Sequence, residues 1–152
     1  MGYPKNMKLI HGIVIMDDEG RVIVKNYYSD EFKTKSAQDA FEKRLFDKFH
    51  NGASKVEVSL GLLDKYIILS RAGADITIFF LIPDNQNELI GVEALDGFYE
   101  ALNICFKDKV DRAELLKHIP YVYLVMDELC DNGVLCETDA GIINKRVEMK
   151  DN

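Results

Sequence analysis

Two nearly unbroken apolar runs, residues 9–16 and 76–82, constrain the fold of this chain more than any other feature. A strand that is apolar on both faces belongs at the centre of a sheet covered on both sides. Both runs are far shorter than the roughly 20 apolar residues that a membrane-spanning helix needs. The sequence therefore predicts a sheet with two buried central strands in a globular domain.

Three further segments predict the remaining strands. Residues 21–28 follow the first apolar run across an acidic turn at 17–20, where Gly20 occupies a position that tolerates positive φ. Residues 66–71 form another strand before the Gly73 turn. Because hairpin neighbours pair and the two apolar strands belong at the centre, the predicted strand order is 2-1-5-4-3.

Residues 55–62 show the strictest alternation in the chain and predict the third strand. The pattern assigns Val56, Val58, Leu60 and Leu62 to one side, and Lys55, Glu57, Ser59 and Gly61 to the other. We expect the apolar side to be buried and this strand to lie near an edge of the sheet.

The rest of the chain has helical signals. The predicted helices are 35–50, 87–106, a short helix over 111–119 that Asp111 and Glu114 cap, a helix from Pro120 to the Asn132-Gly133 turn, and a last helix over 138–147. Residues 121–126 also have strand propensity, and periodicity alone does not assign so short a run. The predicted class is α/β (α+β), a sheet flanked by helices.

Charge and length exclude several classes of function. The chain has 152 residues, a formal net charge of −7 and three cysteines. This acidity disfavours binding to nucleic acid and unaided binding to anionic lipid. The N-terminus has no secretory signal pattern, so we expect a cytoplasmic protein with reduced thiols.

The sequence shows no set of residues that would support catalysis. Its three histidines have no metal-ligand spacing, and nucleotide-binding and nucleophile motifs are absent, so we expect no enzyme, cofactor, metal or small-molecule substrate. Asp17, Asp18 and Glu19 fit a solvated turn better than a metal or acid–base site. The apolar segment 121–126 is either a helix buried under the C-terminal helix or a Tyr- and Met-rich interface. An interaction protein is therefore the leading class.

Several segments resemble the small subunits of vesicle coats. Residues 12–20 and 24–28 resemble the first hairpin of these subunits, and residues 40–46 resemble their first helix. Residues 122–129 look like the long helix that clathrin-adaptor sigma chains share with coatomer zeta chains. The turn at 131–135, with Glu137, Thr138 and Asp139 after it, is similar to that of zeta chains, as is the short C-terminus.

This resemblance implies a longin-like, five-stranded antiparallel sheet over residues 9–147, with an N-terminal extension at 1–8 and a C-terminal tail at 148–152. It also implies that residues 121–126 are helical. The implied function is that of a structural subunit of the COPI coat, in Golgi-to-ER retrograde and intra-Golgi transport. The implied partner is the trunk of the large gamma subunit, and an ADP-ribosylation-factor GTPase recruits the coat to the Golgi membrane.

Two alternatives to a zeta-type subunit stay open. A sigma chain would bind acidic dileucine signals, which the acidic loop Asp17-Asp18-Glu19 disfavours, and only Val110 is apolar within 107–111, where sigma chains shape the dileucine pocket. A longin-like or PAS-like module would scaffold a GTPase or sense a ligand, and sensing requires a pocket in the core. For a coat subunit, the expected partner-binding residues are Tyr121, Tyr123, Phe98 and Tyr99.

Overall fold

A five-stranded antiparallel sheet, in the order β2-β1-β5-β4-β3, forms the middle of the molecule. The structure is a computed structural model, and it describes residues 8–151. The strands are β1 (Gly12–Asp17), β2 (Val22–Tyr27), β3 (Ser59–Leu63), β4 (Tyr66–Ala72) and β5 (Ile76–Pro83). The order confirms the predicted topology, because the strands from the two apolar runs, β1 and β5, lie inside it.

Helices cover both faces of the sheet. They are α1 (Lys35–Phe49), α2 (Glu88–Cys105), α3 (Arg112–Lys117), α4 (Ile119–Leu129) and α5 (Ala140–Asp151), and a single 3₁₀ turn (Asp30–Phe32) precedes α1. Helix α1 covers one face of the sheet, which we call the α1 face. Helices α2 and α4 cover the other, the α2/α4 face, and α5 packs against both of these helices.

The central strands divide the apolar core into two layers because successive side chains point to opposite faces. Every residue of β1 is buried. Val14 and Met16 belong to the cluster on the α1 face, whereas Ile13 and Ile15 belong to the cluster on the α2/α4 face. The sequence of these strands is apolar without a break because alternate side chains pack in the two core layers and both layers are buried.

The helix predictions are largely confirmed. Asp111 accepts a hydrogen bond from the backbone N–H of Glu114 at 2.8 Å and caps α3 as expected. Residues 121–126 are helical, as the resemblance implies and against their strand propensity. Helix α4 ends at Leu129, however, and a small hairpin follows it, formed by β6 (Cys130–Asp131) and β7 (Val134–Leu135).

The turn of this small hairpin fixes the approach to β1. Asn132 and Gly133 both have positive φ, 48° and 87°. The carbonyl oxygen of Gly133 accepts hydrogen bonds from the backbone N–H groups of Leu9 and Ile10, at 3.0 and 3.1 Å. The chain before β1 is therefore joined to the turn after α4.

The two predicted chain ends lie only partly within the described residues. Of the N-terminal extension at 1–8, residues 1–7 lie outside the described residues, as does residue 152 of the predicted tail. Helix α5 begins at Ala140, two residues later than predicted, and runs to Asp151, so residues 148–151 continue this helix.

The prediction for the third strand is wrong in two respects. Strand β3 begins at Ser59 rather than at residue 55. Val56, Leu60 and Leu62 are exposed, at 82%, 57% and 61%, although the alternation predicts that they are buried. The reason is that α2 packs on β4 and β5, which leaves β3 at the edge of the sheet.

Candidate partner-binding surface

Two of the four predicted partner-binding residues, Phe98 and Tyr99, lie in the core. Phe98 is fully buried, and its ring centroid is 5.6 Å from that of Phe80 in β5. Tyr99 is 8% exposed, and the guanidinium of Arg71 lies 3.9 Å from the centre of its ring. These side chains attach α2 to the sheet, so they offer almost no surface to a partner. The sequence signal for their burial is the spacing of apolar residues in α2, which recur every three or four positions along one side of the helix.

The other two, Tyr121 and Tyr123, are partly exposed and flank the buried side of α4. Val122, Val125, Met126 and Leu129 form the buried side of this helix. Tyr121 and Tyr123 are partly buried against the same cluster, and the Tyr123 hydroxyl donates a hydrogen bond to the backbone carbonyl of Lys25 at 3.1 Å. One side of α4 is thus core, and the two tyrosines lie on either flank of it, partly exposed.

Tyr123 borders a groove of about 700 Å³ between β2 and α1. Val22, Ile23 and Phe46 supply apolar surface to this groove. Its charged lining is mostly acidic, with Glu19, Asp39, Glu42 and Asp47 against Lys25 and Lys43. We call it the β2 groove. It is a candidate partner-binding site because Tyr123 lines it.

A buried carboxylate fixes one wall of the β2 groove. Glu42 is 7% exposed; it accepts a hydrogen bond from the Tyr27 hydroxyl at 2.7 Å and pairs with the Lys25 ammonium at 3.1 Å. Burial, together with this carboxylate, raises the pKa of Tyr27 well above its ordinary value, so the phenol stays protonated as a donor. The polar groups of Glu42, Tyr27 and Lys25 in this wall are thus already paired with one another.

The acidic hairpin loop is built around Asp17. Its carboxylate accepts hydrogen bonds from the backbone N–H groups of Glu19 and Arg21, at 2.9 and 3.0 Å, and pairs with the Arg112 side chain at 3.3 Å. Burial alone would raise the pKa of Asp17, but these N–H groups and the nearby guanidinium groups together hold it below its ordinary value. Asp17 thus organises the turn; Asp18 and Glu19 are exposed, as the prediction of a solvated turn requires.

The described residues give no support to a metal or thiol site. Within residues 8–151, no cluster of three or more His, Cys, Asp or Glu side chains has the geometry to hold a metal ion. Cys105, Cys130 and Cys136 are free thiols. Burial raises the pKa of both Cys105 and Cys130 to about 11, which disfavours the reactive thiolate.

Among the helices of the described residues, none is long and apolar enough to cross a membrane. The architecture, a five-stranded antiparallel sheet between α1 and the helices α2, α4 and α5, is the longin-like fold that adaptor small subunits have. The model of the clathrin adaptor complex small chain family matches residues 9–152, and the chain belongs to this family, within which its relatives are coatomer zeta subunits.

Curated relatives support this assignment, and a chain of an adaptor complex supports the fold. The chain is 33% identical to coatomer subunit zeta-2 of Arabidopsis thaliana over 97% of its own length and 82% of the relative. It is 31% identical to the probable coatomer subunit zeta-A of Dictyostelium discoideum, over 90% and 78%. It also matches a chain of a full-length AP-3 complex model with a TM-score of 0.68 and 16% identity, covering 94% of both chains, which supports the fold.

Proposed function

We propose that this chain is the zeta-type small subunit of a COPI vesicle coat and acts as a structural subunit without enzymatic activity. The similarity to coatomer zeta subunits along 97% of the chain is the observation that carries the proposal. The proposed partner is the trunk of the large gamma-type subunit. The coat would act in Golgi-to-ER retrograde and intra-Golgi transport, on the cytoplasmic side of Golgi membranes and on COPI vesicles.

The net charge of −7 disfavours direct binding of this chain to anionic lipid. Membrane contact would therefore be made by its partners. An ADP-ribosylation-factor GTPase would recruit the assembled coat, as the resemblance to coat small subunits implies. The acidic loop at Asp17, Asp18 and Glu19 disfavours the sigma-type alternative, because an acidic dileucine signal would meet like charges there.

Co-expression with the gamma-type trunk of the same organism tests the proposal. We expect a stoichiometric complex on size-exclusion chromatography and no measurable binding of an acidic dileucine peptide. Two folded partners that elute separately would contradict the zeta assignment, and binding of the dileucine peptide would favour the sigma alternative.

Tyr123, which borders the β2 groove, and Tyr121 are the proposed partner-binding residues on α4. Because aromatic anchors carry much of the energy of an interface, alanine at both positions is expected to weaken the complex at least about tenfold. Isothermal titration calorimetry measures this change, and Ile104→Ala, at a 53% exposed position on α2, is the control. If the double variant binds normally and only its thermal stability falls, both tyrosines are core residues.

A further inference from the structure

Edge strand β3 carries, on the α2/α4 face, two leucines that the described residues leave largely exposed. Leu60 and Leu62 are 57% and 61% exposed, although both belong to a regular strand. Their cross-strand neighbours, Leu69 and Ile67, are buried under α2. The apolar surface of the α2/α4 face thus continues past α2 onto β3 and remains open there.

The register of β3 leaves backbone groups open at the same two residues. A two-residue turn, Asp64 and Lys65, joins β3 to β4, so the flanking pair Leu63 and Tyr66 is hydrogen-bonded. Antiparallel pairs alternate between hydrogen-bonded and non-hydrogen-bonded. Leu60 and Leu62 fall in non-hydrogen-bonded pairs, and their N–H and C=O groups therefore point away from β4.

A side-chain contact supports this orientation. The Lys48 ammonium, from α1, donates a hydrogen bond to the Leu62 carbonyl, which is therefore not used by β4. At the opposite edge of the sheet, Tyr123 from the packed helix α4 donates to the Lys25 carbonyl of β2. Lysine is a common guard of sheet edges, but its flexible side chain is displaced more easily than a packed tyrosine.

We propose that an extended segment of the large coat subunit pairs with the outer edge of β3 as a sixth strand and covers Leu60 and Leu62. This inference rests on the proposed function. A strand is the occupant that matches both observations, because it supplies backbone partners for outward peptide groups and apolar side chains at alternate positions. It would also bury the face that the alternation of residues 56–62 predicts to be buried.

Hydrogen exchange on the free chain and on its complex with the gamma-type trunk tests the proposal. The amides of Leu60 and Leu62 are expected to exchange at least about tenfold more slowly in the complex, since each gains a backbone hydrogen bond. The amides of Gly61 and Leu63, which point toward β4, are the control within the same strand. A complex that forms on size exclusion while Leu60 and Leu62 exchange as in the free chain overturns this inference but not the proposed function. A chain that forms no complex overturns both.

Substitutions at residue 60 separate the backbone from the side chain. Leu60→Pro removes an N–H that β4 does not use, and Leu60→Ala shortens the side chain but keeps that N–H. We expect Leu60→Pro to raise the Kd for the trunk at least about tenfold above that of Leu60→Ala, one hydrogen bond being worth about that factor.

Two further variants keep the test decisive. Leu89→Ala, at a 73% exposed leucine on α2, controls for the loss of surface leucine and is expected to bind normally. If circular dichroism shows that Leu60→Pro does not fold, the double variant Leu60→Ala and Leu62→Ala takes its place and is expected to bind more weakly than Leu89→Ala. Equal affinities in these comparisons contradict the proposal.

Discussion

At the scale of single residues, Asp17 shows how one carboxylate sets the end of a strand. It is the last residue of β1 and is only 7% exposed. One of its oxygens accepts the two N–H groups that the tight turn to β2 leaves unpaired, and the other faces Arg112, the first residue of α3. The acidic loop is thus tied to a helix about 95 residues later in the sequence, which loop composition alone does not reveal.

This arrangement gives a pH-dependent prediction. Asp17→Asn is expected to lower the free energy of unfolding by about 1–2 kcal/mol at pH 7, because the amide loses the charge that Arg112 and the N–H groups favour. The pKa of Asp17 in the folded chain lies below its ordinary value of 3.8. The carboxylate therefore stabilises the folded state above that value, and this contribution disappears as the pH falls through the lowered folded pKa.

Urea unfolding at pH 7 and in acid, followed by circular dichroism, measures this effect. The difference between the variant and the wild type should shrink in acid. Asp18→Asn, at the exposed neighbouring position, is the matched control and should change stability little at either pH. A difference for Asp17→Asn that stays constant or grows in acid would show that the charge is not responsible.

At the scale of elements, the joint between α2 and α5 depends on a close backbone approach. A Cβ atom at Gly97 would overlap the carbonyl oxygen of Thr138, just before α5. Further along the two helices, the Asn144 side chain of α5 donates hydrogen bonds to the carbonyl of Ala101 in α2 at 3.1 Å and to that of Ala140 in α5 at 3.0 Å. The missing side chain at Gly97 and the buried amide at Asn144 together set the distance between the two helices.

Gly97→Ala is therefore expected to destabilise the chain by about 1–3 kcal/mol, because a backbone oxygen must move to admit the methyl group. Helix propensity alone would favour alanine by about 1 kcal/mol, so the two effects have opposite signs. Thermal unfolding measures the outcome. Gly52→Ala is the control, since a Cβ at Gly52 has no neighbour within 4 Å. A Gly97→Ala chain as stable as the wild type would contradict the proposed packing of α5.

The elements also show how far the sequence determines the fold. Strand order followed from burial patterns because β1 and β5 are buried almost throughout, whereas the edge strands β2 and β3 have one buried residue each. The face of β3 could not be deduced, since its burial depends on how far α2 extends across the sheet. The resemblance assigned α4 correctly where local propensity favoured a strand.

The candidate site was less predictable than the fold. Composition marks aromatic residues as possible interface anchors, but it does not say which of them face the sheet. Helical spacing gave a signal for the burial of Phe98 and Tyr99, whereas the segment 121–126 is apolar on all sides and gave none for Tyr121 and Tyr123. The β2 groove joins residues from β2, α1 and α4, and such a combination depends on tertiary structure.

At the scale of the whole molecule, one sheet serves two core layers. Ile15 in β1 belongs to the layer on the α2/α4 face, and Ile68 in β4 belongs to the layer on the α1 face; both are fully buried. Since the strands are common to both layers, neither layer can open without loss of the sheet. We expect the chain to unfold as one cooperative unit.

Ile15→Val and Ile68→Val test this expectation with the same chemical change in each layer. Each is expected to lower the free energy of unfolding by about 0.5–1.5 kcal/mol. Because the two side chains lie on opposite faces of the sheet, the double variant should equal the sum within about 0.5 kcal/mol. Urea unfolding followed by both circular dichroism and tyrosine fluorescence measures this, and two separate transitions would show that the layers unfold independently.

The central position of β1 has a consequence for synthesis of the chain. β1 leaves the ribosome first among the strands, yet its second neighbour, β5, ends only at Pro83, and α4, which covers the same face, ends at Leu129. The apolar side chains of β1 and β5 on the α2/α4 face therefore stay uncovered until most of the chain has emerged. During translation this subunit needs either a chaperone on that face or rapid completion of its C-terminal helices.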